Sequence, residues 1–222
     1  MNLTTTKRRI DGWTKLLTAG QIAAGRTWYS NALVFCQEVG TAYGLPVDRV
    51  VGILACLSVQ NRWDVNKRNC EALCRAWSEG IDPETITVAT YTDQKYKAIA
   101  ILTAPADADI SKLIGTKYAP KTRAFYSNIL DPEHSLRVTL DRWIFRGLGL
   151  EQFTHGGGNR MIALYRNVEF LVCQAATKTD LRPCELQAAI WICIQETAQA
   201  EEWEGSRPAA GLATEEEEPA PF

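Results

Sequence analysis

The carboxylate of Asp141 stands alone in the stretch SLRVTLDRWIFRGLGL (135–150), between a β-branched run and an apolar helical pattern. An acid there can cap a helix by accepting hydrogen bonds from the free N–H groups of the first turn. The positive end of that helix also keeps the carboxylate ionised, which suits an oxygen that stabilises a developing cation. The two roles are compatible. Two lysines precede it, Lys117 and Lys121, in LIGTKYAPKTRAF (113–125). A lysine beside a carboxylate can be a covalent nucleophile once its amine is neutral, or simply a solvent-facing helix residue. Upstream, LACLSVQNRWDVN (54–66) closes an apolar helix with a polar corner that holds Gln60, Asn61, Arg62, Trp63 and Asn66. Amides, a guanidinium and an indole in one corner suit contacts to a nucleic-acid strand; a solvated helix start is the other reading.

The elements that must position these groups are helical. Residues 27–43 carry apolar side chains on three- and four-residue steps, and Gly44 with Pro46 ends that helix and begins the next. The run 47–60 is apolar nearly all round, as a buried helix is. Further helices are predicted over 65–78 with Asp64 as cap, over 92–104 with Thr92 or Asp93 as cap, and over about 109–114. Others follow over about 120–130, from Arg142, over about 158–177 and over about 182–203. Asp82 or Pro83 starts a short turn, Gly115 makes a tight one, and residues 131–139 form a loop. No persuasive β-hairpin is present, so the expected class is all-α. Beyond Gly205 the composition turns to Pro, Ala and Glu and predicts a disordered acidic tail.

Bulk properties narrow the classes. The 222 residues are 46% hydrophobic and 23% charged, which is ordinary for a soluble globular chain. No apolar run is long enough to span a bilayer, and the basic start MNLTTTKRRI lacks the apolar stretch of a secretory signal, so the cytoplasm is the expected compartment. The net charge of −2 conceals an asymmetry: residues 1–195 hold 23 bases against 18 acids, a net of +5, and the tail is acidic. A mildly basic body can bind a polyanion while the tail competes for the same surface, or the tail can merely aid solubility. Seven cysteines, mostly inside apolar helical patterns, read as buried thiols.

The LS-x-Q corner at 57–60, the helix–Gly–helix stretch at 113–125 and the V-x-x-D segment at 138–141 occur in an order that resembles the helix-hairpin-helix DNA glycosylases of the endonuclease III-like group. The resemblance covers about residues 45–150. It implies one helical domain over 1–204, two lobes flanking a cleft, and the tail at 205–222. Residues 45–150 would be the central, hairpin-bearing part, with 1–44 and 151–204 packed together as the second lobe. It implies Asp141 as the catalytic carboxylate, Lys121 or Lys117 as an amine nucleophile, and Gln60 as the group that fills or pries open the duplex when a base leaves the stack. The turn at Gly115 and Thr116 would offer backbone N–H groups to a phosphate, with Thr122 and Arg142 beside it. The chain departs from the family in having one glycine in the turn rather than two and Asp-Arg-Trp where a histidine usually follows the acid. The closing LQAAIWICIQE helix also looks like small phage-type proteins.

No cofactor is expected. Cys173, Cys184 and Cys193 are too few and too widely spaced for the family's iron–sulfur cluster, and neither His134 nor His155 belongs to a metal-ligand pattern. The HGGGN stretch at 155–159 lacks the lysine and strand of a phosphate loop and reads as a turn. The expected partner is DNA, through its backbone and an extruded base, with a monomer as the simplest assembly. The leading expectation is an enzyme that cleaves the N-glycosidic bond of a damaged or modified base. An alternative is a phage-type enzyme that processes thymine-derived bases on the same fold. Another is a nucleic-acid or nucleotide binder in which lysine and aspartate do not converge.

Overall fold

The computed structural model describes residues 2–59, 61–115, 119–153 and 158–206, with side chains as far as 198. Among them are ten α-helices, two short 3-10 turns and no strand. The helices are α1 (Leu3–Leu16), α2 (Ala19–Tyr43), α3 (Val47–Leu57), α4 (Trp63–Ser78), α5 (Thr92–Leu102), α6 (Ile110–Leu113), α7 (Pro120–Leu130), α8 (Arg142–Gly147), α9 (Asn159–Ala176) and α10 (Pro183–Ser206). The all-α expectation holds. The stretch from 207 onward, where the sequence predicts a disordered tail, lies outside the described residues.

Two of these helices escape the apolar-periodicity reading in whole or in part. The first, α1, is too polar to register as an apolar stripe; Asn2 starts it by accepting from the N–H groups of Thr4 and Thr5 at 3.0 and 3.3 Å. The second, α2, begins eight residues ahead of the expected start, because Thr18 and Gln21 form a reciprocal capping box. Two predicted caps are wrong. The N-cap of α4 is Arg62 with no side-chain bond, and Asp64 instead pairs with Arg62 and Arg68 at 3.4 and 3.5 Å. Tyr91, not Thr92 or Asp93, precedes α5.

The interior is two apolar cores that share a wall. One gathers Val50, Ile53, Leu54 and Leu57 of α3 with parts of α2, α4, α5, α6 and α7. The other gathers Ile10 of α1, residues 138–150 and the inner face of α9. Helix α10 serves both: Cys184 and Ala188 face the first core, while Leu186, Ile190 and Ile194 face the second. Each set repeats at four residues, so one helix presents two apolar stripes at once. That explains why its sequence is apolar on more than one side over 186–194. A third stripe of α10, Gln187 and Trp191, lies at the junction of the cores, where the candidate site forms.

Helix α2 lies against α10 at van der Waals distance, and a glycine makes this possible. A Cβ on Gly25 would fall 2.7 Å from Ala189 Cβ and 2.8 Å from the Glu185 carbonyl oxygen. Backbone is one of the obstacles, so it cannot swing aside. Gly25→Ala is therefore expected to lower stability by about 1–3 kcal/mol despite the better helix propensity of alanine. Thermal denaturation should show a midpoint several degrees lower; an unchanged or raised midpoint would mean that the two helices are free to separate.

Candidate active site

The segment that carries Asp141 is held from four directions. The Tyr165 hydroxyl donates to the Val138 carbonyl at 2.7 Å and accepts from the Leu140 N–H at 3.0 Å, so one buried phenol fixes both ends of the strand-like stretch 138–140. Glu169 accepts from the Val138 N–H at 3.2 Å and pairs with Arg137 at 3.1 Å. The Asn128 amide donates to Thr139 Oγ1 at 3.0 Å. At the far end of α8, Trp13 and Arg9 of α1 donate to the carbonyls of Gly147 and Leu148, which the helix itself leaves free. Asp141 thus enters the site on a backbone with little freedom.

Asp141 caps α8, with Oδ1 accepting from the Ile144 N–H at 3.0 Å. Its other oxygen accepts from the Trp191 indole N–H at 2.8 Å. Both carboxylate oxygens are thus engaged by donors of the protein. The structural and chemical readings of this residue therefore coexist.

Lys121 reaches the same cavity from the first turn of α7. Its ammonium donates to the Ser58 carbonyl at 3.2 Å and to Ser58 Oγ at 2.9 Å. The Ser58 hydroxyl in turn donates to the Ala55 carbonyl at 2.8 Å, leaving its oxygen free to accept. Ser58 is the C-cap of α3, so the charge sits at the negative end of a buried helix. The ring of Phe125, one helical turn along, lies 5.6 Å from the amino group. Burial of the amino group pulls the Lys121 pKa below the ordinary 10.5, and the Asp141 charge offsets part of that shift. No ion pair joins Lys121 to Asp141: they face a common space without closing it.

That space is a cavity of about 70 Å³, continuous with an opening to solvent. Its apolar wall is aromatic. Trp28 lies at its centre, with ring centroids 4.8 Å from Tyr29, 5.0 Å from Trp63, 5.8 Å from Phe125 and 5.9 Å from Trp191. The polar wall holds Lys121, Asp141, Ser58, Asn61, Asn66, Thr139 and Gln187. Asn61 donates to the Leu57 carbonyl at 2.8 Å and tucks in the end of α3. Asn66 is 1% exposed; its amide nitrogen donates to the Leu54 carbonyl at 3.1 Å, and its Oδ1 has no partner. An unpaired buried acceptor costs about 1–3 kcal/mol, which singles it out for explanation. Gln187 accepts from the Tyr29 hydroxyl at 2.7 Å, and burial pushes that phenol's pKa up.

Of the residues singled out in the sequence, Asp141, Lys121, Asn61, Trp63 and Asn66 line this cavity. Arg62 and Arg142 are exposed and outside its lining, and Thr122 is buried in α7 without facing it. Gly115 turns with φ 141° between α6 and α7, and its carbonyl accepts from Arg123 at 3.2 Å, but it does not line the cavity. Gln60, Thr116, Lys117 and His155 lie outside the described residues. Trp28, Tyr29, Ser58, Phe125, Thr139, Gln187, Ala188 and Trp191 complete the lining and were not anticipated as site residues. One signal for them was present: a polar side chain at Gln187 and an indole at Trp191, four residues apart in the apolar run 186–194. No group of three or more His, Cys, Asp or Glu side chains among the described residues is placed to hold a metal ion, and the seven cysteines are free thiols.

The lowered pKa of Lys121 has a consequence for stability. The unfolded chain holds the Lys121 proton up to about pH 10.5 and the folded chain releases it earlier, so the charge opposes folding below the lowered pKa. That opposition fades as pH rises from the lowered value towards 10.5. Lys121→Met, which keeps the stem and removes the charge, is expected to melt higher than the parent at pH 7, with the gap narrowing by pH 10. Paired melting curves at the two pH values check this. A variant that melts lower at pH 7 would show that the bonds to Ser58 outweigh desolvation.

No curated protein matches the chain, and no solved structure does. A family model matches residues 2–198, nearly the whole described structure. The chain belongs to that family, described as a family of unknown function (DUF7178).

Proposed function

We propose that the protein acts on DNA and breaks an N-glycosidic bond, in the manner of helix-hairpin-helix glycosylases. The observation that carries this reading is the placement of Lys121 and Asp141 on one aromatic-walled cavity without a bond between them. A group inserted between them meets an amine on one side and an anion on the other. Such a pair suits a sugar carbon that becomes positive as its base departs.

In this reading a nucleotide leaves the helical stack and its base enters the cavity, where the rings of Trp28, Trp63 and Trp191 replace the lost stacking. Burial lowers the Lys121 pKa, which eases loss of the proton that a nucleophilic amine must shed. The amine attacks C1′, and the C1′–N bond breaks with its electron pair leaving on the base, which takes a proton. The C1′–O4′ bond then opens, O4′ taking the proton of the attacking amine, and an iminium joins Lys121 to the sugar. The Asp141 carboxylate stabilises the positive charge on the sugar carbon during the first of these steps. Were water the nucleophile instead, the same carboxylate would serve as its base. The backbone of the strand would be met by the basic body of residues 1–195.

A panel of duplex and single-stranded oligonucleotides carrying modified bases tests this directly. Excision of at least one base is expected, with borohydride trapping a covalent adduct that Lys121→Ala abolishes. Asp141→Asn keeps an oxygen to accept from Ile144 but sets an NH2 against the Trp191 indole N–H, so a melting curve accompanies the assay; the folded variant is expected to lose about 10²–10⁴-fold in excision rate. Wild-type rates from that variant would remove the carboxylate from the mechanism, and the absence of excision across the panel would overturn the reading. Affinity for DNA should fall steeply between 50 and 200 mM salt, as counterion release requires at roughly these concentrations.

A further inference from the structure

Four aromatic rings form a row that leads from the cavity to the surface beside it. Ring centroids are 5.9 Å apart from Trp191 to Trp28, 5.0 Å from Trp28 to Trp63 and 6.4 Å from Trp63 to Phe35. Trp191, Trp28 and Trp63 line the cavity, whereas Phe35, on α2, lies outside its lining. Trp63 therefore borders two spaces, the cavity and an outer ledge that it shares with Phe35. Both rings of the ledge belong to half-buried residues, and the side chains next to them in the chain, Arg62 and Val34, are exposed. The row thus comes out to solvent between α2 and α4.

A cation stands on the ledge. The Lys67 amino group lies 5.6 Å from the Trp63 ring centroid and 5.8 Å from that of Phe35. Two acids of α4 occupy helical spacings that favour a pair with it, Asp64 three residues before and Glu71 four residues after. Neither makes one. Asp64 is taken by Arg62 and Arg68 at 3.4 and 3.5 Å, and Glu71 accepts from the Tyr43 hydroxyl at 3.2 Å. Among the described residues Lys67 has no ion-pair partner and rests on the two ring faces, a weak hold for an ammonium near the surface. An arriving base can take its place on the rings, and the phosphate of that base can take the ammonium. Arg62 and Arg68 share the charge of Asp64, so this face offers one uncommitted cation and not a broad basic patch.

A ledge of this kind suits a strand whose bases are free. In a duplex the base beside an extruded one stays paired and stacked, so its face is not open to a second aromatic platform. A duplex is held instead mainly through many phosphate contacts, for which this face has few uncommitted charges. A single strand presents every base to aromatic side chains and needs only a cation here and there along its backbone. We infer that Phe35, Trp63 and Lys67 form a ledge for the nucleotide next to the one in the cavity, and that the substrate is single-stranded DNA. The inference rests on the base-binding reading of the cavity but not on bond cleavage.

The test uses the full chain and three labelled probes: a short oligodeoxynucleotide, its duplex, and a strand of equal length that keeps sugars and phosphates but carries no bases. Binding is followed by fluorescence anisotropy. The wild-type protein is expected to prefer the single strand to the duplex by about ten-fold or more, the scale of a stacked base that a duplex does not present. Phe35→Leu keeps an apolar side chain on α2. It is expected to weaken binding of the base-bearing strand by about five-fold or more, the lower end of what one stacked base contributes, and to leave the base-free strand unchanged. Lys67→Gln is expected to weaken both strands alike and to lower the slope of log affinity against log salt by about 0.7, the share of one phosphate. Melting curves of both variants accompany the assay, because damage to the fold would weaken every probe and leave the salt slope as it was. A duplex bound as tightly as the single strand would overturn the inference. So would a Phe35→Leu variant that does not distinguish the two strands, or a Lys67→Gln variant with the parent's salt slope. Excision from duplex DNA with single strands ignored would overturn it while leaving glycosylase action intact. Single-strand preference with both variant effects, but without excision of any base, would sustain it and leave the cleavage reading to fail alone.

Discussion

The amino group of Lys121 is partly withdrawn from water on the wall of a cavity, and much of the surrounding structure follows from that. A cation removed from water must be met by dipoles or an opposite charge. The chain meets it with the carboxyl end of α3, through the carbonyl and hydroxyl of Ser58, and not with a closed ion pair. Asp141 contributes its field across the cavity but no bond. A bonded pair would have been the more secure arrangement for folding. The open arrangement leaves both charges available to a third group, which is what a reactive site needs and a merely structural one does not.

Holding two charges apart at a set distance demands rigid supports on both sides, and the two cores supply them. Lys121 belongs to a helix packed in the first core, and Asp141 belongs to a segment packed in the second. Helix α10, which borders both, fixes their relation, and its contact with α2 at Gly25 permits no slack. The cavity is therefore the seam between two packed bodies and not a hole within one. Seams of this kind are where ligand sites usually form, since convergent polar groups can be placed there without breaking either core.

Much of this frame can be read from the sequence because it depends on local pattern. Helix α7 runs over 120–130 as expected because Pro120 fixes its first turn and apolar residues recur at the right steps. Asp141 is recognisable as both cap and candidate acid because its setting is local. What could not be read depends on long-range partners. Helix α1 buries little but Ile10 and Thr6, and matters because Trp13 and Arg9 reach carbonyls more than 130 residues away. Arg62 has the composition of a nucleic-acid contact, yet its nearest charged partner is the neighbouring Asp64. The aromatic residues of the cavity look like core in the sequence, and they are core on one side. Only the packing of α2, α4, α7 and α10 decides that their other side faces an open space.

The polar wall explains why a mostly apolar fold retains so many buried hydrogen-bonding side chains at one place. Asn128, Ser135, Thr139, Tyr29 and Gln187 would each cost stability if left singly in an apolar interior. Ser135, Asn128 and Thr139 satisfy one another in one group, and Tyr29 with Gln187 forms a second beside it. Replacing both groups with apolar side chains of like shape would suit folding as well or better. Their presence makes sense where the cavity must offer polar groups, since Thr139 and Gln187 line it and the remaining members hold those two in place.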